Sequence, residues 1–370
     1  MWEGELDAER RRCLEVVLRI LKAAAKGNAS DVHLKGHGVP RVRVRGRMVA
    51  LEHPPLDPVV LETALLALAQ LSRIEPIRTT HKQYDFSWDL PDAGRFRVHA
   101  YRQAGTVAIA LRFIKSPVPD LATLRLPPVI KRIAQSERGL VLVTGATGNG
   151  KSTTIASMLD YMNQKTSRHV VTIEEPIEFT YTDQHCSFVQ REVGRDVDSW
   201  EQGLEGALRE DPDVLVVGET RTLPQFEVVL NAAESGRLVL TTFHSTNADR
   251  TISRMVHMFP PEFQAAARSR IADSLTAIIA QKLVPQKNRT ELVLVTEVFT
   301  RSPTAVDCIR DPNRQKALTA ALEKGTHEYG SHSFDQVFSG LVRENVVSVD
   351  TAKAHVHSAT DFVRGLNLQP

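Results

Sequence analysis

The sequence predicts an α/β protein: a parallel sheet flanked by helices, with a smaller α+β domain ahead of it and a mostly helical region behind. Three observations carry this. Apolar runs at 139–144, 169–174, 213–218 and 238–243 are separated by helix-like stretches, the pattern of a parallel sheet with crossover helices on both faces. The first of these runs leads into a glycine-rich loop, and the loop into a helix. Nearer the start, between residues 85 and 113, three short runs read as antiparallel strands.

Taken in order, residues 8 to 26 repeat Leu14, Val17, Leu18 and Leu21 at helical spacing and stop at Gly27-Asn28. Arg10-Arg11-Arg12 then falls on a solvated helix face. Residues 41–49 alternate strictly, which reads as one half-buried strand with an arginine face. Pro54-Pro55 breaks it, and a helix follows over 59–71. The three strands are 85–90, 95–101 and 106–113, with Pro91-Asp92-Ala93-Gly94 as a turn. Ser116-Pro117-Val118-Pro119-Asp120 is a hinge, because its prolines exclude regular structure. After the alternating core a helical period returns over 262–283, and 291–299 reads as a strand. The remainder from Asp311 is mostly helical and charged. The expected partition is an amino-terminal domain 1–115, a linker 116–122, a core 123–300 and a carboxy-terminal region 301–370.

With 370 residues, the chain is long enough for two or three separate cores. A net charge of +2 gives no electrostatic reason to expect a nucleic-acid partner. Cys13, Cys186 and Cys308 form no paired spacing, which favours reduced thiols and argues against a zinc knuckle. No run reaches the roughly 18 apolar residues of a membrane span, and the acidic start Met1-Trp2-Glu3-Gly4-Glu5 is unlike a secretory signal. The expected location is the cytoplasm.

The loop Gly145-Ala146-Thr147-Gly148-Asn149-Gly150-Lys151-Ser152 fits G-x-x-x-x-G-K-[ST] in the strand–loop–helix setting which that motif requires. Its glycines let backbone N–H groups turn inward around phosphates, and the helix beyond points its positive end at them. The expected ligand is ATP or GTP, held by Gly145, Thr147, Gly148, Asn149, Gly150, Lys151, Ser152 and Thr153. Lys151 would reach the β- and γ-phosphates and Ser152 would ligate Mg²⁺.

The other strand ends also carry chemistry. The run 213–218 ends at Glu219, and such a strand is expected beside the glycine-loop strand, near the γ-phosphate. Glu174-Glu175-Pro176-Ile177-Glu178 places three acids in five positions, which need a cation or several donors to coexist. Thr241-Thr242-Phe243 ends at His244.

These four segments, in this order, resemble the Walker A, Asp box, Walker B and His box of the type II/IV secretion ATPase superfamily. Ala207-Leu208-Arg209-Glu210-Asp211-Pro212-Asp213 and Gly218-Glu219-Thr220-Arg221 are highly specific to it. Over nearly its whole length the chain resembles the type IV pilus retraction ATPases, the PilT/PilU family. Ala29-Ser30-Asp31-Val32-His33-Leu34, Gly94-Arg95-Phe96-Arg97-Val98, Gln190-Arg191-Glu192-Val193-Gly194 and Ser333-Phe334-Asp335-Gln336 match as well.

The resemblance implies a RecA-like P-loop core, a PAS-like amino-terminal domain and a homohexameric ring. Its active site would lie between the two domains of one subunit and the amino-terminal domain of the next. It further implies Mg²⁺-dependent ATP hydrolysis, with Glu219 as the catalytic glutamate and Glu178 as the Asp-box carboxylate assisting Mg²⁺ and water. Ser152, Glu178 and Glu219 would then serve the metal, and His244 would sense the γ-phosphate. Arg95, Arg97 and Arg112 would reach the phosphates from the amino-terminal domain, as arginine fingers do. The alternation around them leaves a second place open, an arginine-studded outer sheet face. The implied partners are an inner-membrane platform protein and a paralogous pilus ATPase, and the implied output is pilus retraction and twitching motility.

Three positions depart from the family pattern. Glu175 stands where Asp is usual, Arg237 where a first histidine is frequent, and 305–311 differs from the retraction signature of many members. The tail over 352–362 is closer to PilU. An accessory or weakly hydrolysing ring, and the motor of a related secretion system, therefore stay open. A nucleic-acid translocase is disfavoured by the charge balance and by the lack of aromatic–basic interleaving.

Overall fold

The computed structural model describes residues 6–368 apart from 45, 73–82, 91–93, 115–117 and 289–290. The acidic start, the turn at 91–93 and positions 116–117 of the hinge lie outside the described residues. The chain divides into two compact units. The first comprises Met1–Pro117 together with Glu175–Thr180 and Glu192–Val197; the second comprises Val118–Glu174, Tyr181–Arg191 and Asp198–Pro370.

The first unit opens with the helix Ala8–Lys26, whose N-cap Asp7 accepts the Arg10 N–H at 2.8 Å. Leu14, Val17, Leu21 and Ala24, three or four residues apart, are its buried face. A second helix, Pro58–Leu71, starts with the Asp57 cap and a proline in its first turn. Both pack on a sheet of β1 (Asp31–Lys35), β2 (Arg41–Val44), β3 (Arg47–Ala50), β4 (Gln83–Leu90), β5 (Gly94–Gln103) and β6 (Thr106–Ile114). The order is β3-β2-β1-β6-β5-β4, and every pairing is antiparallel. Alternate residues such as Val32, Val42, Trp88, Phe96, Val98 and Leu111 face the helices. The opposite set forms a cross-strand row, Ser87, Arg97, Arg112, Asp31 and Arg43.

The alternating stretch 41–49 is not one strand. Gly46 adopts φ +79°, and β2 and β3 fold back on each other with Val44 opposite Arg47. Residue alternation continues through the reversal, so the period alone does not reveal it.

The second unit contains β7 (Gly139–Thr144), β8 (His169–Glu174), β9 (Ser187–Glu192, its last residue counted with the first unit), β10 (Val214–Val217), β11 (Leu238–Phe243), β12 (Leu275–Pro285) and β13 (Leu292–Thr300), in the order β13-β12-β7-β11-β10-β8-β9. Strands β12, β7, β11, β10 and β8 run parallel, and β13 is antiparallel to β12. Every residue of β7, β10 and β11 is buried, which is why these strands read as unbroken apolar runs.

Two expectations are corrected here. The helical period over 262–283 holds only through the helix Gln264–Ser274; the next eleven residues are β12, paired in parallel with β7. A short apolar run fits a buried strand as well as a helix, and the tertiary pairing decides. The strand that ends at Glu219 is not beside the glycine-loop strand, because β11 lies between β10 and β7. Edge strand β9 was not anticipated.

The carboxy-terminal helices cover β12 and β13. Phe334, Phe338, Val347, Ala352 and Phe362 pack against Ala280, Val284, Val293 and Val295. Ser333 and Gln336 form a capping box at the start of Phe334–Arg343. The stretch that departs from the retraction signature folds as the helix Pro303–Arg310 with Ala305, Val306, Cys308 and Ile309 buried. All three cysteines are free and buried. Among the described residues, no helix is long and apolar enough to cross a membrane.

Candidate active site

Parallel strands deliver the ends of β7, β8, β10 and β11 to one edge of the sheet, where open α/β sheets bind ligands. The glycine loop leaves β7 there. Gly145 is obligatory in this position: a Cβ would lie 2.7 Å from the Gln281 carbonyl oxygen, and the backbone is at φ +148°. Asn149 seats the loop on β12, its Nδ2 donating to the Gln281 carbonyl at 3.0 Å and its Oδ1 accepting the Leu283 N–H at 3.4 Å. Gln281 in turn donates to Thr154 Oγ1 at 2.6 Å. Gly148 and Gly150 are left-handed, with open space where a side chain would stand, so the loop keeps a bare backbone concavity. Gly150 precedes the helix Lys151–Lys165, whose first turn carries Ser152 and Thr153. Lys151 Nζ donates to the carbonyls of Gly145 and Ala146 at 3.1 and 3.2 Å, across the loop itself.

Two strands away, Glu219 is gripped from both sides. Its Oε1 meets His244 Nε2 at 2.8 Å and its Oε2 accepts from Arg221 Nη2 at 2.7 Å. Burial opposes ionisation of Glu219, but the Arg221 hydrogen bond and the charges of His244, Arg221 and Lys151 outweigh it, so its carboxyl lies below the ordinary glutamate range. The backbone beneath is locked by Thr220 Oγ1 on Thr241 Oγ1 at 2.8 Å and by Thr242 Oγ1 donating to the Gly218 carbonyl at 2.7 Å. Arg254 donates to the His244 carbonyl. Glu174, closing β8, accepts from Thr172 Oγ1 at 2.8 Å.

The remaining expected site residues lie in the first unit. Glu178 Oε1 is 4.0 Å from Arg97 Nη1. Arg112 Nε donates to Asp31 Oδ1 at 2.8 Å while its side chain stays 67% exposed. Burial works against the Asp31 carboxylate, yet hydrogen bonds from Arg112 and Ser30 bring its pKa below the usual aspartate value. Arg95 is only 11% exposed and is held by Asp89, Ser87 and the Ile177 carbonyl. The structure thus gathers the P-loop residues, Glu219 and His244 at one sheet edge, and Glu178 with Arg95 and Arg97 on the first unit. Sequence reasoning missed the side-chain roles of Asn149, Gln281, Arg221 and Glu192. Asn149, Gln281 and Glu192 work through partners remote in sequence and Arg221 through Glu219 two residues away; Asn149, Arg221 and Glu192 lay within quoted motifs, whereas Gln281 did not.

The bare glycine concavity with Lys151 at its edge fits a triphosphate, and the hard oxygen donors of Ser152 and Glu219 fit Mg²⁺ rather than a soft metal. The family model described as "Type II/IV secretion system protein" matches residues 7–321. The chain belongs to that family. It is 37% identical over 349 residues to the type IV pilus retractation ATPase PilT of Pseudomonas aeruginosa, covering 94% of this chain and 99% of that one. It is 34% identical over 344 residues to the type IV pilus ATPase PilU of the same organism, covering 93% and 89%. The crystal structure of the pilus retraction motor PilT with bound ADP matches with a TM-score of 0.84 at 34% identity, over 94% of this chain and 99% of that one. The family and the α/β fold expected from the sequence are those of this chain.

Proposed function

We propose that this chain is an ATP-hydrolysing motor of type IV pilus retraction, working as a homohexamer on an inner-membrane platform protein at the cytoplasmic side. The observation that carries the reading is the Glu219 carboxylate, kept ionised and fixed between His244 and Arg221 at the same sheet edge as the P-loop. Phosphoryl transfer needs positioned charge more than covalent chemistry. Lys151 and the loop N–H groups bind the phosphates, and Glu219 orients and deprotonates the attacking water. His244, hydrogen-bonded to Glu219, is placed to report the γ-phosphate to it. Of the three expected arginines, Arg97 and Arg112 are more exposed than Arg95, and they supply cations for the developing charge. Ser152, Glu219 and Glu178 would hold Mg²⁺, which neutralises phosphate charge when bound.

The test is ATP turnover with and without Mg²⁺ in the wild type, Lys151→Ala and Glu219→Gln. Mg²⁺-dependent turnover that collapses in both variants supports the reading; near-normal turnover in both variants rejects it.

A second reading, an accessory ring that binds ATP but hydrolyses it poorly, draws on the comparable likeness to PilU and on the helix Pro303–Arg310, which carries the departure from the retraction signature. Stable ATP binding with negligible wild-type turnover would favour it.

A further inference from the structure

Glu192 is a carboxylate with a side chain only 3% exposed, and the hydrolytic scheme gives it no task. Buried charges persist only when compensated by partners. Glu192 Oε2 accepts from Ser87 Oγ at 2.5 Å and from the Ile177 N–H at 3.1 Å, and Oε1 accepts the Ser87 N–H at 3.3 Å. Arg95 Nη2 stands 3.5 Å from the same Oε2 and donates to Ser87 Oγ at 2.6 Å. Arg95 Nε donates to the Ile177 carbonyl at 3.2 Å. The residue before Glu178 is therefore held at both main-chain groups, N–H by Glu192 and C=O by Arg95.

The support extends outward. Arg95 Nη1 is tied to Asp89 Oδ2 at 2.7 Å, so all three guanidinium nitrogens are engaged, Nη1 by Asp89, Nη2 by Ser87 and Glu192, and Nε by the Ile177 carbonyl. The Glu192 main chain is fixed by a tight loop: its N–H reaches Asp196 Oδ2 at 2.8 Å, and its carbonyl accepts from Asp196 and Val197. Gly194, at φ +83°, makes that loop possible. The sequence Gln190-Arg191-Glu192-Val193-Gly194 thus has a physical reading, an acid for the clamp and a glycine for the turn behind it. Glu178 follows directly, its carboxylate 4.0 Å from Arg97 on the same strand as Arg95.

We propose that Arg95 and Glu192 are positioning residues that clamp the Ile177 peptide and so set where the Glu178 carboxylate stands. This rests on the assignment of Glu178 to the hydrolytic site. It moves Arg95 from the group that touches phosphate to the group that acts through another residue, and leaves Arg97 and Arg112 as the arginines that face a nucleotide. A side chain acting only through Glu178 has nothing left to contribute once Glu178 is disabled.

The test compares ATP turnover and fluorescent-ATP binding in Glu192→Gln, Arg95→Lys and Glu178→Gln, singly and in pairs, with hydrogen exchange of the 175–180 peptide as a readout independent of activity. Both positioning variants should lose kcat at least tenfold with little change in ATP affinity, and cost less than threefold more in the Glu178→Gln background. Exchange of the 175–180 amides should quicken in both, with thermal unfolding cooperative as in the wild type. Unchanged exchange overturns the clamp whatever the turnover. A further tenfold loss on adding Arg95→Lys to Glu178→Gln, or a matching fall in ATP affinity, overturns the positioning role and returns Arg95 to the phosphates. Full turnover in Glu178→Gln also overturns it, since nothing would depend on the position being set. Absence of turnover in the wild type would instead reject the hydrolytic function, and the exchange result would still stand on its own.

Discussion

Glu219 Oε1 and His244 Nε2 stand 2.8 Å apart although the two residues follow different strands, β10 and β11. These strands are paired in register, Val217 opposite Thr241, so the contact is a consequence of sheet topology. It gives the carboxylate a fixed orientation at the edge where the P-loop begins.

Glu219→Gln keeps the size of the side chain but removes its basicity. Turnover should fall by about 10²–10⁴-fold, the range of a lost general base, while ATP affinity stays within a few-fold. Steady-state hydrolysis alongside fluorescent-nucleotide titration checks this. A large loss of affinity with unchanged kcat would assign Glu219 to binding instead.

Asn149 carries a structural load inside a binding motif. Asn149→Ala removes two hydrogen bonds to β12, worth about 1 kcal/mol each. The second unit should unfold at a lower temperature, and the KM for ATP should rise because the loop is no longer seated. Thermal unfolding and KM measured on the same preparation test the pair of effects. A change in KM with no change in stability would mean that the side chain touches nucleotide.

Asp31 links the first unit to pH. Its folded pKa is depressed, so its contribution is present above the unfolded value of about 3.9 and is lost as pH falls through the folded value. Asp31→Asn should lower the melting temperature at pH 7, and the gap to wild type should narrow below about pH 4. A gap that is constant across this window would show that the carboxylate's charge is not what matters.

Glu297, 7% exposed, accepts the Ala248 N–H at 2.8 Å and a second backbone N–H from Phe334. It joins the starts of the helices Ala248–His257 and Phe334–Arg343. Burial pushes its carboxyl up, with the two N–H groups and Lys282 opposing that rise. Glu297→Ala strands both donors and should destabilise the second unit by about 2–4 kcal/mol, measurable by denaturant unfolding. A loss under about 0.5 kcal/mol would mean that other partners satisfy both N–H groups.

The chemistry at the strand ends was legible because β7, β10 and β11 are buried along their whole length and show as apolar runs with polar ends. The P-loop was legible because its glycines are demanded locally, by backbone conformation and close approach. What escaped depends on partners remote in sequence. β12 is a strand because it pairs with β7, and no period in its own residues says so. The hairpin at Gly46 hides inside an unbroken alternation. Asn149 reaches across 132 residues to Gln281, and Glu192 across 105 to Ser87. Neither contact leaves a mark on the spacing of its own motif.

The most direct measurement is the abundance of surface pili in cells whose only copy of this protein carries Glu219→Gln. A retraction motor that hydrolyses ATP through Glu219 predicts more surface pili than in wild type, with twitching lost. Bald cells, or cells with unchanged piliation and normal twitching, would contradict it.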